Sequence, residues 1–300
     1  MAKNRGDSRL GYFRVVDLAL LASLSALYAV FRIVPTFPMV AVSGATFRAG
    51  DIVAPLYGVV LGPALGPAAV VFGTVIGFSV GAPPVFLGLD FLPAATCAAI
   101  VGLVTRRRRK EALILNLLVI AVFLMLPFAP GLVQVGTYQV PYVWLHLVGL
   151  AMLASPLASR AASALSGDWT SFSGSNSTYY RNQVVATLVL VLIGTLAQHV
   201  TGGILTQAVI GLNFNRTPRG FQTWQGFWTF IFWIYPGERA LITIFATLLT
   251  APVITLLKIS RLTQHLPQMQ FVSFPRGKQL RIAPLFSSLD FWPWKKTPVS

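Results

Sequence analysis

Apolar runs alternate with short polar, glycine-rich or proline-rich segments along most of the chain. The first run covers residues 15–34, and the stretch GDIVAPLYGVVLGPALGPAAVVFGTVIGFSVG follows from Gly50, at the end of a connecting loop. A helix needs about 20 mostly apolar residues to cross the hydrocarbon core of a bilayer. The pattern therefore predicts an all-α fold, a polytopic integral membrane helix bundle with about eight transmembrane spans. The predicted spans cover residues 15–34, 52–66, 67–82, 91–105, 112–128, 139–158, 183–212 and 238–258.

Glycines in the second and third spans recur every four residues in two sets of three, which begin at Gly58 and at Gly73. This spacing places each set on one helical face, where small residues let neighbouring backbones approach closely in lipid. Two Gly-Pro pairs, at 62–63 and at 66–67, are expected to mark the turn between two short helices or breaks inside them. Packing is the simplest role for these glycines.

In three places the sequence does not decide where a predicted span begins, ends or breaks. A basic leader before residues 15–34 also fits a cleavable signal peptide, although the length of the run favours an anchor. The span at 183–212 is too long for one crossing, and Gly202 with Gly203 is expected to break or kink it. The aromatic stretch FQTWQGFWTFIFWIYP, before the last span, is expected to lie partly along the bilayer surface.

Charge fixes the expected orientation. The 300 residues are 55% hydrophobic and 10% charged, and the net charge of +15 is gathered in short segments between apolar runs. Since basic residues favour the cytoplasmic side, the run from Arg106 to Lys110 is predicted to be cytoplasmic. An even number of spans then puts both termini in the cytoplasm of a multi-pass protein of the cell membrane. No single basic face is predicted, which argues against nucleic-acid binding.

The chain divides into seven predicted segments. They are a basic cytoplasmic N-terminus (1–14), a membrane core with spans one to four (15–105), a basic cytoplasmic loop (106–111), an inserted helical pair (112–158), a polar cytoplasmic linker (159–182), the last spans of the membrane core (183–258) and a basic cytoplasmic tail (259–300).

The sequence contains no recognisable enzyme signature. It has no G-x-x-x-x-G-K-[ST] phosphate loop and no H-E-x-x-H, so the chain is not expected to be an enzyme or an ATPase. The single cysteine, Cys97, and the three scattered histidines lack the spacing of a metal site, so no metal or other cofactor is predicted.

Polar residues at the ends of spans are the candidate ligand contacts, because an ionisable group inside a membrane is costly and usually functional. All of them are predicted on the outer side, where they could line one cavity. Asp51 with Arg48 and Glu238 with Arg239 are possible ion pairs, while helix capping is the alternative role for Asp51 and Asp90. The predicted substrate-binding residues are Arg48, Asp51, Asp90, Gln198, His199, Asn213, Glu238 and Arg239.

The first helix with Ala22-x-x-x-Ala26, the stretch GDIVAPLYGVVLGPALGPAAVVFGTVIG and the late segments LAQHVTGGILTQAVIG and YPGERALITIFATLLTAPVITLLK together resemble the substrate-binding S components of energy-coupling-factor transporters. The resemblance covers roughly residues 15–105 and 185–258. It implies a six-helix core that captures a vitamin-like small-molecule solute on the outer side. It also implies a separate transmembrane coupling subunit and ATPases, with Ala22 and Ala26 as the contact to the coupling subunit.

The chain departs from that family in two places. The helical pair at 112–158 and the basic tail are additions, and the start Met1-Ala2-Lys3 lacks the Met-His opening of the cobalt and nickel members. Two alternatives to a solute-binding subunit stay open, namely an intramembrane enzyme acting on a lipid or prenyl substrate and a membrane scaffold subunit without a ligand. Under all three hypotheses, membrane lipid is a predicted partner because it surrounds the helices.

Overall fold

A computed structural model describes residues 15–38, 46–166 and 176–260, and these residues are 77% helical. The predicted helical class is therefore confirmed, with two small antiparallel strand pairs added. The predicted N-terminal segment 1–14 and residues 261–300 of the predicted tail lie outside the described residues. The helices are α1 (Val15–Ile33), α2 (Ala49–Ser79), α3 (Leu92–Thr105), α4 (Arg109–Met125), α5 (Trp144–Ala154), α6 (Pro156–Ser166), α7 (Asn176–Leu205) and α8 (Trp224–Ile259), and the strands are β1 (Pro35–Pro38), β2 (Thr46–Arg48), β3 (Leu132–Val135) and β4 (Tyr138–Pro141).

Helix α2 is a hairpin of two helical arms that meet at Gly62. Gly62 has φ 81° and ψ −171°, a backbone conformation that is essentially restricted to glycine. A Cβ atom placed on Gly66 would lie 2.8 Å from the carbonyl oxygen of Tyr57. Residues nine positions apart in a straight helix are separated by roughly 13 Å. The chain therefore folds back, and the turn predicted between spans two and three is confirmed at Gly62.

Contacts at the two ends of the hairpin define two ends of the whole bundle. Gly50 and Gly77, near the open ends of the arms, both lie against the Arg32 side chain, with built Cβ atoms 3.3 Å and 3.1 Å from it. The tip lies against Arg106, since a Cβ on Gly62 would be 3.0 Å from its Nε. We call the end that carries Arg106 the basic end and the end that carries Arg32 the opposite end.

The rest of the chain runs back and forth between these ends. Helix α3 ends at Thr105, and α4 begins at Arg109, so the predicted basic loop is a tight turn. The Arg109 Nη1 donates to the carbonyl of Ser155 at 3.0 Å, which places the junction of α5 and α6 at the basic end. At the same end, Lys258 Nζ donates to the Tyr179 hydroxyl at 3.0 Å.

Length and composition identify fewer membrane spans than the sequence predicts. Among the described residues, three helical stretches are long and apolar enough to cross a membrane, namely Ala49–Ser79, counted over both arms of the α2 hairpin, Thr178–Asn213 and Trp224–Ile259. A fourth is added if α5 and α6, which meet at 63°, form one broken span. These apolar helices support a membrane protein, and the count of eight spans stays a prediction.

The predicted sixth span, 139–158, is wrong as a single helix. It consists of β4 and α5, and then the chain bends into α6 at Pro156. Proline has no backbone N–H and disfavours a helical residue before it, which explains the break after Ala154. The predicted linker also begins too early, because residues 159–166 belong to α6 and bury Ala161 and Leu165. Residues 167–175 of that linker lie outside the described residues.

The last two spans also differ from prediction. Helix α7 passes through Gly202 and Gly203 without a break and becomes π-helical over Thr206–Asn213. Helix α8 begins at Trp224, where the Thr223 hydroxyl accepts a hydrogen bond from the N–H of Gly226 at 3.1 Å. The aromatic stretch is therefore the first part of α8, and its buried side chains face other helices.

Two hydrophobic cores result. The small-residue core packs α1, α2, α3, α6 and α7 through alanines and short aliphatic side chains. The aromatic core joins the end of α4, β3, the start of α5 and the first half of α8 around Phe123, Tyr142 and Trp228. Polar side chains from several of these helices lie between the two cores.

Candidate functional site

Buried polar side chains from four helices form what we call the central cluster. It consists of the buried residues Asp51, His146, Gln198 and Arg239 and the partly buried residues His199 and Glu238. Asp51 joins the start of α2 to α7. One carboxylate oxygen of Asp51 accepts the backbone N–H of Arg48 at 3.0 Å and so caps α2. The other accepts from Gln198 Nε2 at 3.1 Å. Asp51 therefore has the predicted capping role and also contacts Gln198, while its predicted role in substrate binding stays a prediction.

Arg239 is the charged centre of the cluster. Its side chain is 1% exposed, and its Nη1 donates to the carbonyl of Thr195 at 3.4 Å. The guanidinium carbon lies 5.5 Å from the centre of the Phe47 ring, which allows a cation–π contact. Its Nη2 lies 3.9 Å from Glu238 Oε2, so the predicted ion pair is confirmed, although the atoms are too far apart for a hydrogen bond.

His146 and His199 form a second part of the cluster. His146 Nε2 and His199 Nδ1 are 3.0 Å apart, and the two ring planes are inclined by 10°. Because ring N–H bonds lie in the ring plane, this geometry joins the imidazoles edge to edge. The Tyr235 ring lies nearly parallel to both, with its centroid 4.8 Å from His199 and 5.2 Å from His146. The result is a flat aromatic surface beside Arg239.

Three predicted site residues lie elsewhere. Asp90 accepts the backbone N–H groups of Val85 and Phe86 at 2.9 Å and 3.0 Å and pairs with Arg32 at 3.7 Å, so it organises a loop. The Arg48 guanidinium donates to the carbonyl of Ile33 at 3.4 Å, and the predicted ion pair with Asp51 is replaced by the backbone cap. Asn213 is exposed at the end of the π-helical segment.

His146 was not predicted as a site residue. It belongs to the apolar run VPYVWLHLVGLAML, and a histidine within such a run is the signal that the sequence offers. The structure shows that this imidazole is buried. It is separated from His199 by 53 positions, so no spacing rule joins the two. The contributions of Phe47 and Thr195 also depend on the fold alone, because they contact Arg239 through a ring face and a backbone carbonyl.

The small residues of α1 present two different faces. Ser25 and Ala29 are buried and face α2, where a Cβ on Gly73 would lie 2.6 Å from the Ser25 carbonyl oxygen. Ala22 and Ala26 are exposed. One face is therefore used inside the chain, and the predicted partner contact through Ala22 and Ala26 stays a prediction.

The composition of the central cluster limits what it can do. It offers one guanidinium, two carboxylates, one amide and two imidazoles, which are hydrogen-bonding groups suited to holding a polar molecule. Across the described residues, no group of three or more His, Cys, Asp or Glu side chains is placed to hold a metal ion. Comparison of the chain with family models, with curated proteins and with solved structures finds no match.

Proposed function

We propose that this protein is a membrane-embedded solute-binding subunit of a transporter. It captures a small vitamin-like molecule on the outer side and passes it on together with separate energising subunits. The observation that carries the proposal is the central cluster, in which side chains of α2, α5, α7 and α8 meet between two apolar cores. Burying such groups costs free energy unless they gain partners, so their convergence favours a binding role.

Several polar atoms of the cluster lack a hydrogen-bond partner within the part of the chain that the structure describes. Buried polar groups are nearly always hydrogen-bonded in folded proteins. In the central cluster, Gln198 Oε1 and the Nε and Nη2 atoms of Arg239 have no hydrogen-bond partner among the described residues. A network that served only packing would be expected to satisfy these atoms internally. A bound polar solute would supply the missing partners.

Orientation follows from the two ends of the bundle. The basic end carries Arg106 to Lys110 and is assigned to the cytoplasm of a cell-membrane protein with both termini on that side. The central cluster is reached from the opposite end, because Asp51 lies in the first turn of α2. Solute entry from outside agrees with this placement. The exposed face of Ala22 and Ala26 is then available for a transmembrane coupling subunit.

The proposal is tested by purifying the full chain and identifying small molecules in its extract by mass spectrometry. Glu238→Ala is expected to lower solute retention by about tenfold or more, since it removes a carboxylate acceptor, 16% exposed, that a donor group of the solute would bind. Glu111→Ala is the matched control, because Glu111 is exposed and pairs with Arg108 in its own helical turn. Thermal unfolding of both variants checks the fold.

A retained solute that disappears in Glu238→Ala and stays in Glu111→Ala supports the proposal. If the wild-type extract contains no solute and Glu238→Ala only destabilises the chain, the cluster is structural. A scaffold role would then be the better conclusion.

A further inference from the structure

The unused donors of Arg239 point to the chemical class of the solute. The guanidinium carries five N–H groups. Nη1 donates to Thr195, whereas Nε and Nη2 are buried without a hydrogen-bond partner. These two nitrogens share one edge of the planar guanidinium, on the side away from Nη1. Their N–H bonds run nearly parallel, which is the arrangement that a carboxylate or phosphate accepts with two oxygens.

The neighbouring carboxylates do not take this position. Glu238 precedes Arg239 in the helix, and its nearest oxygen is 3.9 Å from Nη2. The two oxygens of Asp51 are occupied by Gln198 and by the backbone N–H of Arg48. Among the described residues, neither carboxylate takes the paired donor edge, which is therefore available to a group of the solute.

We infer that the solute carries a single carboxylate, which Arg239 binds through Nε and Nη2. This inference rests on the proposed function. The charges of the cluster favour a monoanion over a phosphate. Arg239 already interacts electrostatically with both Glu238 and Asp51. The cluster already holds two carboxylates and one guanidinium, so each negative charge that the solute adds is costly in a buried site, and a doubly charged phosphate costs more than a single carboxylate.

The experiment uses the full chain in detergent, stripped of endogenous solute, and titrates it with matched acids and amides. The probes are benzoate and benzamide, nicotinate and nicotinamide, and inorganic phosphate, together with any solute found in the extract before and after methyl esterification. At least one carboxylate is expected to bind about tenfold or more tightly than its amide or ester, because the neutral analogue forfeits the charge-assisted pair.

Variants test whether Arg239 is the group responsible. Arg239→Lys keeps the charge and removes the paired donor edge, so the preference for acid over amide is expected to shrink by about tenfold. Arg239→Gln is expected to abolish it. Arg160→Lys, at an exposed position of α6, is the matched control and should bind as wild type. Size-exclusion profiles confirm that each variant remains folded.

The outcomes separate this inference from the proposed function. A retained solute without a carboxylate, equal affinity for acid and ester, tight phosphate binding, or wild-type preference in Arg239→Lys would each overturn the inference and leave solute binding intact. No solute in the extract and no response to any probe would overturn both.

Discussion

At the scale of single residues, the structure separates two acidic groups that have similar sequence surroundings. Asp51 and Asp90 both stand near the start of a helix, and both are almost fully buried. Asp51 reaches across to Gln198 on α7, whereas Asp90 holds its own loop and Arg32. The two carboxylates differ because a different helix faces each of them. Substituting Asp90 is therefore expected to affect the stability of the fold, whereas substituting Asp51 is expected to affect the central cluster.

Asp90→Ala is expected to destabilise the fold. It leaves the Arg32 guanidinium buried without its counter-ion and removes the acceptor for two backbone N–H groups, at Val85 and Phe86. Removing one partner of a buried ion pair costs roughly 3 kcal/mol or more. Thermal unfolding in detergent measures the change.

A double-mutant cycle with Arg32→Ala supplies the control for this substitution. Since the single variants each leave one charge buried, the double variant should lose less stability than the sum of the two. Additive losses would show that Arg32 and Asp90 do not depend on each other.

The candidate site could be predicted only in part from the sequence. Gln198, His199, Glu238 and Arg239 stand out as polar residues in apolar runs, and the fold brings them together. Asn213 satisfies the same criterion and lies apart in an exposed position. A polar residue within an apolar segment is unusual, but the sequence alone does not show whether its side chain faces the interior of the bundle or the outside.

At the scale of elements, the α2 hairpin is the feature with the clearest sequence cause. Gly62 permits the fold-back, and Gly66 and Gly58 let the arms and α3 approach, since a Cβ at Gly58 would lie 2.4 Å from the Ala98 carbonyl oxygen. The Gly-Pro pair at 62–63 predicted a turn or a break here. The structure shows that it is a turn, at Gly62.

The hairpin predicts that Thr36 and Val80, which flank α2, lie on the same side of the membrane. Single cysteines at these exposed positions should both react with a membrane-impermeant maleimide added from one side. The native Cys97 is buried, so the wild-type chain is the unlabelled control. A straight helix of 31 residues would place the two positions on opposite sides, and labelling from opposite sides would therefore contradict the hairpin.

The start of the last helix was predicted wrongly because aromatic residues fit two environments. Residues 224–236 continue into α8, and the aromatic side chains there pack against α4, β3 and α5. Aromatic residues favour both membrane interfaces and close-packed cores, so their presence alone does not distinguish the two. The bend at Pro156 was readable in principle, because proline starts α6 there. Residues distant in the chain decide whether such a stretch is buried.

At the scale of the whole molecule, the two cores differ in chemistry, and the central cluster lies where they meet. The small-residue core allows close helix contacts in lipid, while the aromatic core packs large rings between the end of α4 and the first half of α8. His146 and Tyr235 belong to segments of the aromatic core, whereas Asp51 belongs to a helix of the small-residue core. A solute held between them would contact both cores at once.

The orientation of the whole bundle gives a last prediction. Lys110 and Ser260 lie at or beside the basic end, and Thr137 and Arg216 lie in connections at the opposite end, all four in exposed positions. Single cysteines at the first pair should be labelled only after the cells are permeabilised, and those at the second pair in intact cells, because the cation-rich end is assigned to the cytoplasm. The α2 hairpin does not change the expected labelling, because its first arm begins and its second arm ends on the same side of the membrane, whether or not the arms cross the membrane completely. Labelling of Thr137→Cys and Ser260→Cys from one side would require a different path for α8 and would remove the basis for solute entry opposite the arginine run.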